Sequence, residues 1–447
     1  MSDDNGRPVV GLSEISDEVL LLEVARRRAG KMSGARLLAL EDAAEECGHA
    51  DSHRMMQVMF DERVATQDGT PKPCPKCGRR VWVRSKDRER TIRTMSGELS
   101  LRRHYHYCER CQQGFYPLDI ELGLPEEGEL SPKMTARVLD FAVTSVYAEA
   151  AARWSVHHSG STISENVARL VVERAGSLLE GLDHQDRQAT IRSAPEHAPS
   201  MLVVQTDGSM LSMRELDQWK EVKLGVIYSE DHHVPGSRDR RGIITEARYV
   251  TSMLGIDDFR LELDAALTTE RALEAKRIAW IGDGAPWNWT LCNELCPNAI
   301  QVLDFMHMAQ HAADCGKAVL GEQSPWLGIW TNSIVRRVET GAIDHLLADL
   351  TDIRDSLQPD ATKAVDNLIR YYQTNAARMN YPLYRTLGLP IGSGAVESAP
   401  RHVLQNRMKL AGQHWSLHNA HRMAMLRSAY KTNGPDHFAD FLLPIAA

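Results

Sequence analysis

Long apolar runs are missing from this chain of 447 residues. None approaches the ~18 residues that a membrane-spanning helix requires. The start, Met1-Ser-Asp-Asp-Asn, lacks the basic residues and apolar core of a secretory signal. A cytosolic protein with no membrane partner is the expectation. A basic balance is missing too: 52 Lys and Arg stand against 60 Asp and Glu, a net charge of −8. On average that disfavours a polyanionic partner, but the distribution matters more than the average. Acidic residues are absent from Ser398 to Pro435, where Arg401, Arg407, Lys409, Arg422, Arg427 and Lys431 are joined by four histidines. From Arg79 to Arg110, ten basic residues face four acidic ones. Two local basic tracts in an acidic chain suit a phosphate-binding face.

What is present is ordinary for a globular protein, with 43% hydrophobic and 25% charged residues. The length implies two to four domains. Residues 1–68 read as a helical N-terminal region, a packing or dimerisation element. Residues 69–125 change to short alternating stretches around the turn Met95-Ser96-Gly97, framed by Cys74-Pro-Lys-Cys77 and Cys108-Glu-Arg-Cys111. Two CxxC pairs joined by a hairpin fit a structural, tetrahedral Zn²⁺ ribbon, since four thiolates leave no open position. Cys47, Cys292, Cys296 and Cys315 read as buried hydrophobes. Residues 126–195 return to helix, with a candidate helix-turn-helix around Ser155–Gly160 and a helix entry at Ser161-Thr-Ile-Ser164.

From 196 to 306 strands and helices alternate. Met201–Thr206 ends at Asp207-Gly208, Val222–Tyr228 and Ala247–Thr251 follow around a charged loop from Asp231 to Arg241, then come a helix over 257–275, a strand Ile278–Ile281, a helix Trp287–Leu295 and a strand Ile300–Leu303. Three strands, helix, strand, helix, strand is the element order of a ribonuclease H-like core. A helical insertion spans 307–388, and 389–447 carries a final helix with Glu397 and basic helices. The fold class is therefore α/β and multidomain. Asp207 and Asp283 each follow an apolar strand, and Glu397 returns from the last helix. Three convergent carboxylates are the natural ligands of two hard Mg²⁺ (or Mn²⁺) ions in phosphoryl displacement. Asp304 and His307 in Leu303-Asp-Phe-Met-His307 offer a general acid/base or a phosphate contact, or else a plain helix cap. For DNA contact the candidates are Arg401, Arg407 and Lys409 beyond the glutamate, Trp415 as a base-stacking surface or a core residue, and Arg102 and Arg103 in the first basic tract.

Over nearly the whole length after about residue 70 the chain resembles ISKra-type bacterial insertion-sequence transposases, relatives of the Mutator-like group. The carrying motifs are the two CxxC pairs with Tyr116-Pro-Leu-Asp119 and Leu122-Gly-Leu124, then Asp207-Gly, Gly282-Asp-Gly and Leu303-Asp-Phe-Met-His307. Gly392-Ser-Gly-Ala-Val-Glu397-Ser, with Asn406-Arg-Met-Lys409 and Gly412-Gln-His-Trp415, is the most specific. The resemblance implies an Asp-Asp-Glu transposase that cuts element ends and joins strands, with Mg²⁺ dependence and recognition of terminal inverted repeats by N-terminal domains. It also implies target DNA and a homo-oligomer on DNA as partners. A DNA-binding regulator without catalysis, or a nuclease that never joins strands, is separated from this reading by the intact acids and by the resemblance.

Overall fold

In the computed structural model the described residues are 17–29, 37–125, 128–158, 161–214, 219–234, 242–392, 394–435 and 437–438. The turn at Ser159-Gly160 and most of the charged loop, 235–241, lie outside them. The chain divides into two compact units, Met1–Ser131 with His157–Thr162, and Pro132–Val156 with Ile163–Ala447. No helix among the described residues is long and apolar enough to cross a membrane.

The first unit begins with helices α1 (Asp17–Ala29) and α2 (Leu37–Ala65). Val19, Leu22 and Val24 of α1 are exposed. The short pair β1 (Lys72–Pro73) and β2 (Arg80–Val81) folds the first CxxC into a knuckle. Then β3 (Val83–Thr94) and β4 (Gly97–Cys108) form the hairpin read from the sequence, and β5 (Gln113–Phe115) adds a third antiparallel strand before α3 (Pro117–Glu121). Alternation along the hairpin buries Ile92, Leu99 and Leu101. Phe60 and Val64 of α2 pack on Ile92 and Leu101, together with Leu118 and Leu124.

In the second unit, helices α4 (Pro132–Thr144), α5 (Tyr147–His157), α6 (Glu165–Gly181) and α7 (His184–Ile191) lead into the sheet. Ser164 caps α6 by accepting from the Val167 N–H at 3.3 Å, the entry expected from Ser/Thr spacing. That helix packs into a bundle: Glu173 accepts from Asn419, and Glu180 pairs with Arg422. The strands are β6 (Met201–Ser212), β7 (Trp219–Ser229), a minor hairpin of β8 (His233–Val234) and β9 (Ile243–Ile244), and β10 (Arg248–Ser252). Helix α8 (Ile256–Thr269), β11 (Arg277–Gly282), α9 (Pro286–Leu295) and β12 (Ile300–Leu303) complete the run.

The five-stranded sheet has the order β10-β7-β6-β11-β12. β7 is antiparallel to β6 and β10, while β6, β11 and β12 are mutually parallel. Residues 201–206 of β6 are all about 1% exposed or less, as expected for a central strand covered on both faces. Helices α10 (Phe305–Leu320), α11 (Leu327–Glu339), α12 (Ile343–Arg354), α13 (Pro359–Asn375) and α14 (Tyr381–Thr386) follow β12. After them α15 (Gly394–Ala399) runs through a wider π-type turn, Pro400–Gln405, into α16 (Asn406–Met408), and α17 (Leu417–Asn433) is the last long helix. Pro400 has no N–H to continue the α-helical ladder, which accounts for the widened turn at that point.

Candidate active site and metal centre

Parallel register brings the first two acids together. Ile281 pairs with Gln205, so Asp283 and Asp207, each two residues on, stand level. Adjacent strands lie about 4.8 Å apart. One local expectation is corrected. Asp207 does not follow a strand but sits inside β6, because β7 continues the antiparallel ladder as far as Ser212↔Trp219. The parallel pairing with β11 stops at Gln205, so Asp207 still lies at the carboxyl edge of the parallel part. Asp304 follows β12, and its N–H donates to the Gly282 carbonyl at 2.8 Å. Three neighbouring strands thus deliver an aspartate each to the edge where open parallel sheets bind ligands.

The environments differ. Burial pushes the Asp207 carboxyl above its ordinary range, the nearby Asp283 charge adds to this, and the Gly208 N–H and His307 oppose it. The Asp283 carboxylate accepts from the Ala285 N–H at 2.9 Å, and its carbonyl accepts from the Tyr371 hydroxyl at 2.8 Å. Gly284 turns the chain there with φ of 97°, a conformation that side chains disfavour. Gly282 is constrained by space: a Cβ on it would lie 1.5 Å from Nδ2 of the buried Asn288. Asp304 is fully buried and caps α10, accepting from the Met306 N–H at 2.7 Å, with His307 Nδ1 at 3.2 Å from its other oxygen. The cap and the dyad are therefore one arrangement, and the carboxylate orients a half-exposed imidazole.

Glu397 lies on α15, which packs against β6 and β7. Alternate residues of β6 face the same way, and Gln205, Asp207 and Ser209 form such a set. Gln205 bonds to Gly392 and Val396, and Ser209 accepts from Lys409 Nζ at 3.0 Å. Of the DNA-contact candidates, Lys409 is thus two strand positions from Asp207, and Arg401 is exposed. Arg102 is exposed, 3.4 Å from Glu89.

Of the other three, Arg407 and Trp415 are buried and Arg103 is partly buried. Arg407 is 1% exposed, donates from Nε to the Ala142 carbonyl at 3.1 Å and lies over the rings of Tyr147 and Trp415. Trp415 is 9% exposed and donates to the Met408 carbonyl at 3.0 Å. Arg103 is tied to Asp119 and stacks on Tyr116 at 3.7 Å. Arg427 likewise donates to the carbonyls of His402, Val403 and Val143. Two of the six basic residues of the acid-free tract, Arg407 and Arg427, are therefore bonded to backbone carbonyls.

Residue patterns missed Gln205 and His311. A glutamine within an apolar buried strand should have drawn notice, since buried amides need partners. His311, one helical turn beyond His307, stacks on Tyr371 with ring centroids 3.8 Å apart, and lies within charge reach of His307 and Asp283.

In the first unit the sulfurs of Cys74, Cys77, Cys108 and Cys111 all lie within 4.8 Å of one another, with Cys74–Cys111 at 4.0 Å and Cys77–Cys108 at 3.8 Å. A tetrahedron with Zn–S bonds of about 2.3 Å has edges of about 3.8 Å, so these cysteines are placed to hold zinc. Cys292, Cys296 and Cys315 are buried, with thiols pushed up to about 12, 11 and 11 by that burial. Cys47 is only half-buried.

Residues 76–439 match the model of an uncharacterised protein family, UPF0236. No curated protein matches the chain. Among solved structures, a chain of the Drosophila P element transposase strand transfer complex is 10% identical, with 68% of this chain and 79% of that chain covered and a TM-score of 0.25. A likeness that loose fixes neither fold nor function.

Proposed function

The chain belongs to the UPF0236 family, and we propose that it is a DNA transposase of the Asp-Asp-Glu kind on a ribonuclease H-like core. The observation that carries this reading is the register of β6 and β11, whose last pair, Gln205 with Ile281, lies two residues before Asp207 and Asp283, with the Asp283 charge close enough to raise the Asp207 carboxyl. The 3-2-1-4-5 order of the five main strands, antiparallel then parallel, supports the fold assignment. The ISKra-type kinship rests on the motifs alone.

Two like charges at a strand edge, one of them with a burial-raised pKa, fit a cation. Asp207, Asp283 and Glu397 would hold Mg²⁺ or Mn²⁺, which supplies Lewis-acid chemistry for hydrolysis at an element end and for strand transfer. The chain's own groups do the rest. Lys409, beside Ser209, positions a phosphate next to the acids. His307, held at Nδ1 by Asp304, passes a proton through Nε2. The four cysteines hold a structural zinc that ties the knuckle to the hairpin. Residues 69–125 and 126–195 bind the inverted repeats, and two ends held at once require at least two protomers.

The test is strand-specific cleavage of DNA carrying the element's own ends, with Mg²⁺, Mn²⁺ or EDTA, comparing wild type with Glu397→Ala and Asp283→Ala. Metal-dependent release of a 3′ end, lost in both variants, is expected. Normal cutting by Asp283→Ala would refute the triad. Binding without cutting would point to a DNA-binding regulator, and cutting without joining to a nuclease.

A further inference from the structure

We infer that Gln205 is a positioning residue that fixes the glutamate-bearing helix onto the strand carrying Asp207; this rests on the three-carboxylate reading. The side chain is 1% exposed. Its Oε1 accepts from the Val396 N–H at 2.9 Å, and its Nε2 donates to the Gly392 carbonyl at 3.3 Å and to the Tyr228 hydroxyl at 3.4 Å. One amide thus grips the backbone on both sides of the start of α15, one residue before Glu397 and five residues before it.

The geometry calls for such a grip. The first N–H groups of a helix have no partner within it, and Val396 is the third residue of α15. Its N–H is satisfied from a strand almost two hundred residues away in sequence. α15 is only six residues long and gives way at once to the π-type turn at Pro400, so its own ladder cannot set its position. A second tie, from the Phe305 N–H to the Ile391 carbonyl at 3.0 Å, fixes the approach to the loop but not the helix itself. Because strand side chains repeat every two residues, the face that presents Asp207 also presents Gln205. The strand therefore supplies one carboxylate and sets the position of the helix that supplies another.

Groups that orient a ligand without touching the metal typically change its affinity by roughly 10–100-fold. The experiment uses the full chain in three variants. Gln205→Leu removes all three hydrogen bonds at similar size. Gln205→Glu keeps the acceptor for Val396 and loses the donor to Gly392, and serves if the leucine variant does not fold. Glu397→Gln tests the underlying reading. Two quantities are followed: amide hydrogen exchange over 391–398, and Mn²⁺ binding from the loss of the free-ion EPR signal.

In Gln205→Leu the segment should exchange at least about tenfold faster, and Mn²⁺ affinity should fall about tenfold or more. Gln205→Glu should retain slow exchange at Val396 and fall between the two in affinity. Wild-type exchange in Gln205→Leu would overturn the inference. So would wild-type Mn²⁺ affinity in Gln205→Leu while Glu397→Gln binds weakly. Unchanged Mn²⁺ binding in Glu397→Gln would instead overturn the three-carboxylate reading, with the exchange data still reporting whether Gln205 holds the helix.

Discussion

Asn288 connects the two strands that carry the first pair of acids, and replacing it with leucine should cost measurable stability. The side chain is fully buried, and its Oδ1 accepts from Thr206 Oγ1 at 2.5 Å and Trp280 Nε1 at 2.6 Å. Thr206 precedes Asp207 and Trp280 lies on β11. Leucine is close in size but accepts nothing, so two buried donors lose their partner at about 1–3 kcal/mol each. Part is returned, because Asn288 Nδ2 has no hydrogen-bond partner, and removing a buried orphan recovers about 1–3 kcal/mol. The net loss is roughly 1–3 kcal/mol at equal cost per group, or a fall in melting temperature of a few degrees for a domain of this size. Scanning calorimetry and urea unfolding read it directly. A cycle with Thr206→Val isolates the mechanism, because that change removes one of the stranded donors. It should cost about 1 kcal/mol less in the Asn288→Leu background than in the wild type. Stability of Asn288→Leu within about 0.5 kcal/mol of wild type, or additivity in the cycle, would refute the account.

Cys77→Ser should lower the bound zinc, measured by plasma mass spectrometry, from one ion per chain, and increase proteolysis of the β3–β4 hairpin; retained zinc would oppose a four-thiolate site. Burial raises Asp140 from an ordinary 3.8 to about 6, against the pull of Arg137, and its side chain is 10% exposed. The folded state therefore holds its proton more tightly than the unfolded one. Stability falls as pH rises from about 4 to 6 and is flat above. Asp140→Asn should remove that slope and stabilise the protein at pH 7 by up to about 3 kcal/mol, read from urea midpoints across pH. Arg401→Ala should reduce the salt dependence of DNA binding by about one counterion, whereas Arg407→Ala should lower the melting temperature through its interior contacts, and fluorescence anisotropy with thermal melts separates the two.

The core sheet was legible because its strands are short, largely apolar runs that end at polar or turn-forming residues. Met201–Thr206, Val222–Tyr228 and Ile300–Leu303 all became strands. The end of β6 was not legible. Asp207 to Ser212 contains Asp, Gly and Ser, which individually signal a turn, yet β7 supplies a partner for each of them. Tertiary pairing overrides local preference in such cases. The cysteine frame was fully readable, since CxxC pairs leave few alternatives once a hairpin joins them.

Charge was the least reliable guide, and the reason lies in what arginine can bind. A stretch free of acids looks like a surface that awaits phosphate. However, a guanidinium has five donors, and backbone carbonyls satisfy them as well as phosphate oxygens do. Arg407 and Arg427 reach the carbonyls of Ala142 and Val143, in the last turn of α4, where the helix presents unpaired acceptors and partial negative charge. For Arg407 and Arg427 these carbonyls are the partners, with no acid of their own tract to compete. The basic tract that follows Glu397 therefore divides by exposure. Under the proposed function, Lys409, anchored on the strand of Asp207, and the exposed Arg401 are the two that would meet DNA, whereas the buried Arg407 and Arg427 tie the last helices to α4.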